Sequence, residues 1–476
     1  MKTAFICLAA GFLSVISADA KVRLGSMFTD NMVLQQNENV RIFGQADPSS
    51  KITVTPSWNN KPYTTTTDRT GEWSLAVPTP EGGYTPYEIT VSDGEPVVLK
   101  NVLVGEVWLA SGQSNMEMPL NGFGGAPIEG GFDEIANARA ERDNIRFYRL
   151  PGTKSHVPLD TVNAVWKVPS PDTAGAFNAT AWYFATRLNR VLDVPVGIVA
   201  AAFGGSRVES WLPREILATY PDVDLDPKAI DSYNPSWECP LLMYNGMFNP
   251  IKDYVYKGII WYQGCSNVGH HDTYADRLAT MVRHWREQIG RGDIPFYAVE
   301  IAPYHYFGSQ SEKAPLLREA QWKAVESLPD AGMISTNDLV EPYEIYNIHP
   351  GNKEGVGNRL GDLALNQTYG KKQFPYQSPR YKGYTVKGNE IWVAIDSPFK
   401  GICRNHDIRG FEIAGADRVF HPADKVSLHW QTNEIIVSSE AVPEPVAVRY
   451  CWHDFQPGTL YGGNYLPCIP FRTDAW

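Results

Sequence analysis

From residue 21 to about residue 100 the chain alternates apolar and polar positions in short runs. Val40-Arg41-Ile42-Phe43-Gly44 and Lys51-Ile52-Thr53-Val54-Thr55 are two of them, and Asp47-Pro48, Asn59-Asn60 and Gly82-Gly83 break the pattern. Short strands at this spacing, with turn residues between them, predict a small β-sandwich. The pattern then changes. Val107-Trp108-Leu109-Ala110, Val196-Gly197-Ile198-Val199-Ala200, Gly258-Ile259-Ile260-Trp261-Tyr262, Pro295-Phe296-Tyr297-Ala298-Val299 and Met333-Ile334-Ser335-Thr336 are continuous apolar runs. Such runs suit parallel strands covered on both faces.

Helical spacing lies between these runs. Ala181, Phe184, Leu188 and Val191 fall on one face, as do Leu278, Met281, Val282, Trp285 and Ile289. Leu317, Ala320, Ala324 and Leu328 form a third stripe, and Val356, Leu360, Leu363 and Ala364 a fourth. Alternating strands and helices predict an α/β layer fold on a parallel sheet. After about residue 375 the chain returns to β runs at Ile391–Ile395, Glu434–Val437 and Val446–Tyr450. The expected organisation is a β-sandwich-like region over 21–100, an α/β domain over 101–374 and a β-rich region over 375–476.

The first twenty residues stand apart. Met1-Lys2 precedes an apolar run from Ala4 to Ile16, and Ala18-Asp19-Ala20 follows. A basic start, a short apolar stretch and an A-x-A exit predict a secretory signal peptide cleaved near Ala20. The run is too short to span a bilayer comfortably. Cys7 lies mid-run rather than after a small-residue cleavage site, which argues against a lipoprotein anchor. The expected location is therefore secreted or periplasmic, with no membrane attachment after cleavage.

Composition narrows the function. Apolar residues make up 43% of the 476 and charged residues 20%, a globular balance. The net charge of −11 argues against a nucleic-acid partner, because phosphate binding needs a basic surface. Aromatics reach 12%, with 14 Trp and 24 Tyr; such rings fill β-rich cores or stack on sugars. Five of the six cysteines follow the leader, an odd number, so at least one thiol is free or pairs between chains. There is no C-x-x-C and no H-E-x-x-H. His270-His271-Asp272 is the one cluster resembling metal ligands, and a solvated loop explains it better, so no metal is expected.

In open α/β sheets, sites form at the carboxyl ends of strands. After the first apolar run comes Ser111-Gly112-Gln113-Ser114-Asn115-Met116. Glycine before the serine permits a sharp turn that exposes the hydroxyl. After the second comes Ala202-Phe203-Gly204-Gly205-Ser206, whose glycines offer unblocked N–H donors. After the third comes Gln263-Gly264-Cys265-Ser266-Asn267. After the fifth, a loop leads to Asn347-Ile348-His349-Pro350, where proline biases His349 to an extended conformation. Together these supply a serine nucleophile, a histidine base and donors for a tetrahedral oxyanion, the parts of acyl transfer.

The Gly-Gln-Ser-Asn-Met turn after a Val-Trp-Leu strand, Trp-Tyr-Gln-Gly-x-Ser-Asn, and Ile-His-Pro before Asn-Lys resemble the sialate O-acetylesterase family, part of the wider SGNH hydrolases. The resemblance runs over nearly the whole chain after the leader. It includes Phe28–Gln35, Met243–Met247, Leu317–Gln321, Gly410–Gly415 and Pro470–Asp474. It implies a flavodoxin-like sheet, Ser114 as nucleophile and His349 as base. The implied oxyanion donors are the Ser114 N–H, the Gly205 N–H and the Asn267 amide. Gln113, Gln263 and Arg207 are expected to contact substrate. Two departures matter. Cys265 stands where the family commonly has Glu, and Asn347 and Tyr346 stand where many SGNH enzymes carry Asp. Asp338 is therefore the candidate to orient His349, with Asn347, Glu344 and a backbone carbonyl as alternatives. Cys451 and Cys468 stand where the family usually has small residues, which implies a disulfide between them.

The reading that results is an exported serine carboxylesterase that removes O-acetyl groups from sugars, sialic acids first, without metal or organic cofactor. Acetylated xylan or another plant glycan is the alternative substrate. A non-catalytic glycan-binding protein is the alternative of another class. A glycosidase fits poorly, because it needs a carboxylate pair across the scissile bond and these turns carry Ser, Asn and Cys.

Overall fold

The computed structural model describes residues 22–476. The expected signal peptide, residues 1–20, lies outside them. Among the described residues no helix is long and apolar enough to cross a membrane.

The core sheet is built from β1 (Pro96–Gly112), β2 (Ile145–Arg149), β3 (Val196–Ala202), β4 (Gly258–Tyr262), β5 (Phe296–Val299) and β6 (Ala331–Ile334). Their order across the sheet is β2-β3-β1-β4-β5-β6, and every neighbouring pair is parallel. An antiparallel strand, Trp166–Lys167, extends the β2 edge. With β2 set aside, the other five follow the doubly wound order second, first, third, fourth, fifth. The chain leaves β1 for β3 on one side and reaches β4 on the other. The order therefore reverses at β1, and in open α/β sheets ligands bind at the carboxyl ends of the strands at such a switch point.

The helices follow from the stripes. Four of them cover the sheet, namely α2 (Ala179–Leu192), α3 (His271–Ile289), α4 (Lys313–Glu326) and α5 (Lys353–Gln367), and a single turn, α1 (Ser114–Glu117), opens directly from β1. Alternation along β1 sends Val107 and Leu109 into a core with Leu278, Met281, Val282 and Trp285 of α3. It sends Trp108 and Ala110 into the opposite core with Phe184 and Leu188 of α2 and Leu360 and Leu363 of α5. Apolar residues on both faces are what made these strands read as continuous runs.

Two features differ from expectation. Strand β2 was not evident in the sequence, because two arginines interrupt its five residues. Arg146 is nevertheless buried, and its guanidinium donates to the Ile145 carbonyl at 3.2 Å. The expected boundary at residue 100 falls inside one continuous 17-residue strand. The first part of β1 pairs with Gly83–Ser92 and with Val33–Gln35, and the second part pairs with β3 and β4. The N-terminal β region is thus hydrogen-bonded into the catalytic sheet rather than joined to it by a linker.

The C-terminal region forms two four-stranded antiparallel sheets. They enclose a third core that includes Ile391, Val393, Ile413, Ile435, Val437 and Val448. It docks on α4, where Arg318 donates to the Asp454 carbonyl at 3.2 Å. The Asp454 carboxylate in turn accepts the N–H groups of Phe307 and Ala314 at 3.0 and 2.7 Å. Cys451 and Cys468 lie buried in this core, and both are free thiols, which corrects the expected disulfide. The Cys451 thiol occupies space left by Gly410 and Gly458, so it packs against backbone instead of a partner sulfur.

Candidate active site

The site begins where β1 ends. Gly112 has φ +135°, and a Cβ there would run into the Tyr262 backbone of β4. Only glycine permits this close approach, and it lets the chain turn at once into α1, with Ser114 as the first residue of the turn. The Ser114 N–H, at the head of that turn, has no hydrogen-bond acceptor among the described residues.

The diglycine turn after β3 meets it. A Cβ on Gly204 would lie 3.6 Å from the Ser114 Cβ. The Gly204 N–H is already spent, donating at 2.7 Å to the Glu117 carboxylate, whose pKa is raised by burial. Gly205 has φ +76°, and its N–H has no acceptor among the described residues. Two free backbone donors, those of Ser114 and Gly205, therefore stand on neighbouring turns.

The loop carrying His349 is tied to the same place. The Asn115 amide donates to the Ile348 carbonyl at 3.0 Å. Lys353 donates from its ammonium to Asn115 Oδ1 at 2.9 Å and to the Pro350 carbonyl at 2.5 Å. The carbonyls on both sides of His349 are thus linked to the residue that follows Ser114. The His349 backbone N–H donates to Asn347 Oδ1 at 3.1 Å, and its ring packs edge-on against Phe123 with centroids 5.1 Å apart. Burial, reinforced by the Lys353 charge, lowers the His349 pKa to about 4. The imidazole is neutral at ordinary pH, as a general base must be.

Several expected residues have other places. Asp338 turns both oxygens to the Arg359 guanidinium at 2.7 Å, in a bidentate fork, and no hydrogen bond joins it to His349 among the described residues. Glu344 is also spent, accepting the Gly351 N–H at 2.9 Å and the Glu341 N–H at 3.0 Å, so it shapes the histidine loop. Asn347 holds the backbone of His349 rather than its ring. Asn267 is fully buried; its oxygen accepts from Val208 N–H and Gln263, and its amide donates to Glu209 at 3.1 Å. These bonds tie it to the chain after the diglycine turn, through the Val208 N–H and through Gln263, which holds the Ser206 carbonyl. Gln263 is fully buried as well, bonded to the Ser206 carbonyl, Asn267 and Tyr274. Gln113 is buried and accepts the Gly264 N–H at 2.7 Å, which joins the first turn to the third. Arg207 is ion-paired with Glu238.

Cys265 lies behind the turn that carries Ser114 and Asn115. Its sulfur accepts the Tyr306 hydroxyl at 3.2 Å and sits 4.0 Å from the Asn115 amide. Burial raises its pKa, so it stays a thiol. Trp237 was not foreseen. It is 47% exposed, and a Cβ on Gly205 would collide with its indole, which places the ring directly against the diglycine turn. No sequence signal marks it, because Asn234-Pro235-Ser236-Trp237 reads as an ordinary loop.

Comparison with known proteins gives the family. The family described as carbohydrate esterase, sialic acid-specific acetylesterase, matches residues 104–366. The sialate O-acetylesterases of Mus musculus and Homo sapiens are 25% and 26% identical to this chain, each aligned over 96% of it and 93% of their own length. A solved carbohydrate acetylesterase from Xanthomonas citri superposes with a TM-score of 0.85 at 33% identity, covering 96% of this chain and all of its own. By class, then, the chain is a carbohydrate esterase. More narrowly, it belongs to the sialic acid-specific acetylesterase family that matches its α/β region.

Proposed function

We propose that this chain hydrolyses O-acetyl esters of sugars, sialic acids in particular, through an acetyl-serine intermediate on Ser114. The observation that carries the reading is the tie from Asn115 to Ile348, which brings the serine turn and the histidine loop to one point beside the Gly204–Gly205 turn. Ser114 Oγ attacks the acetyl carbonyl while His349 takes its proton. The oxyanion receives the Ser114 and Gly205 N–H groups. As the tetrahedral intermediate collapses, the imidazolium returns the proton to the sugar oxygen, which leaves as the alcohol. Water, deprotonated by His349, then releases acetate and restores the serine. With Asp338 and Glu344 engaged elsewhere, the ring of His349 is held by its loop and by Phe123, so the machinery is a Ser–His pair.

The half-exposed Trp237 supports a sugar as the alcohol. An indole beside the ester site offers an apolar surface on which the C–H face of a pyranose ring stacks. The strand order of the sheet supports an SGNH-type arrangement, and the leader at residues 1–20 supports export to the periplasm or outside.

The test is acetate release from an O-acetylated sialic acid beside acetyl-xylan, with wild type and Ser114→Ala. Faster turnover of the sialic acid, and a loss of roughly 10⁴–10⁶ in kcat for the folded variant, is the expected result. Preference for acetyl-xylan moves the substrate to plant glycans. Wild-type turnover by Ser114→Ala ends the serine-esterase reading.

A further inference from the structure

A buried lysine stands behind the site and takes no part in the chemistry above. Lys353 is 1% exposed, although it is the first residue of α5 and two residues after a glycine. Burying an ammonium is costly unless its donors are met. Here they are met by acceptors on two different pieces of the site: Asn115 Oδ1 at 2.9 Å, next to Ser114, and the Pro350 carbonyl at 2.5 Å, next to His349. The ring of Tyr262, at the end of β4, lies 6.0 Å from the ammonium.

We infer that Lys353 is a positioning residue for the esterase reaction: its ammonium clamps the nucleophile turn to the histidine loop and fixes the approach of Ser114 to His349. Asn115 is the other half of the clamp, since its amide holds Ile348 while its oxygen holds Lys353. The inference rests on the Ser114–His349 reading.

The clamp has an electrostatic consequence. A positive charge this close opposes protonation of His349. Among the described residues, the charge that acts on the imidazole is that of Lys353. Lys353 approaches from α5, and Glu344 lies in the preceding loop, bonded to the Gly351 N–H. Glu129 lies across Gly351, and Cys265 and Tyr306 stand behind Asn115. Phe123 brings no charge. Burial, opposed by Glu344, brings Lys353 itself down to about 7, so below neutrality it carries the charge that keeps the base free.

The test reads Ser114 reactivity without relying on a particular sugar. A small fluorophosphonate labels an activated serine, and its rate against pH reports the base. Wild type should be labelled at Ser114, with an acid limb close to 4. In Lys353→Met the limiting rate should fall at least about tenfold, and the limb should move up by about one pH unit, towards the ordinary histidine value near 6.5. Acetate release should show the loss in kcat, with KM little changed. Lys353→Arg keeps the charge but misplaces it, so its rate should fall while its limb stays low. If Lys353→Met does not fold, Asn115→Ala cuts the same clamp and leaves the ammonium; kcat should fall and the limb stay near 4. A folded Lys353→Met with the wild-type rate and limb, or Asn115→Ala with wild-type kcat, overturns the inference alone. A wild-type protein unlabelled at Ser114 overturns the nucleophile reading and this inference with it.

Discussion

The Asn115 side-chain amide donates to the Ile348 carbonyl at 3.0 Å, so the residue after the serine holds the residue before the histidine. The two lie 233 positions apart in the chain. Their contact turns two separate loops into one site, and the behaviour of that site under mutation and pH follows from how it is held.

The pH profile should be unusually tolerant of acid. From composition alone His349 is expected to titrate near 6.5, but burial and Lys353 hold it at about 4. The value of kcat/KM should therefore stay level down to about pH 5 and fall only below that. Stability moves in the same direction. The folded protein binds fewer protons at His349 than the unfolded chain, so its contribution is present above the unfolded value and is lost as pH falls from about 6.5 through 4. Lys353 acts likewise between its ordinary 10.5 and about 7. A rate profile with a limb near 6.5 that disappears in His349→Ala would contradict this.

Asp338→Asn should harm the fold more than the chemistry. The carboxylate forms a mostly buried fork with Arg359, and removing its charge strands the guanidinium. A loss of about 3 kcal/mol in urea unfolding is expected. In the folded variant kcat/KM should drop by less than about tenfold. A hundredfold loss without destabilisation would restore Asp338 as the partner of His349.

The thiols of Cys451 and Cys468 should both be alkylated once the protein is denatured without reductant. Both are free and buried, and burial raises both pKa values, so neither should react in the native state. Peptide mapping that finds a Cys451–Cys468 bridge in the native protein would contradict the structure.

Gly205 and Trp237 should separate catalysis from binding. Alanine at 205 must adopt a left-handed backbone, at a cost of about 1–2 kcal/mol, and meet the indole. Displacing that N–H should lower kcat by roughly 10²–10³. Trp237→Ala leaves the donors in place, so it should raise KM for a sugar ester by about tenfold and leave kcat unchanged. Equal effects of Trp237→Ala on a sugar ester and on a small aryl acetate would mean that the ring does not touch sugar.

The sequence alone determined the layers and the turns. Continuous apolar runs mark strands buried on both faces, and stripes at helical spacing mark α2, α3, α4 and α5, because burial selects residue type directly. Glycine before Ser114 and the pair at 204–205 mark the turns, because backbone geometry there excludes a side chain. Tertiary structure decided what each polar group faces. Lys353 and Arg146 carry long charged side chains that read as solvent-facing, yet both are buried, and Lys353 finds an acceptor at Asn115, far away in sequence. Asp338, Gln263 and Asn267 sit at strand ends where reactive groups belong, yet Arg359, Ser206 and Glu209 take up their hydrogen bonds. A hydrogen bond between distant residues leaves no periodic mark in the chain, so pattern places a polar residue near a site, and only the folded contacts decide whether it is free to act.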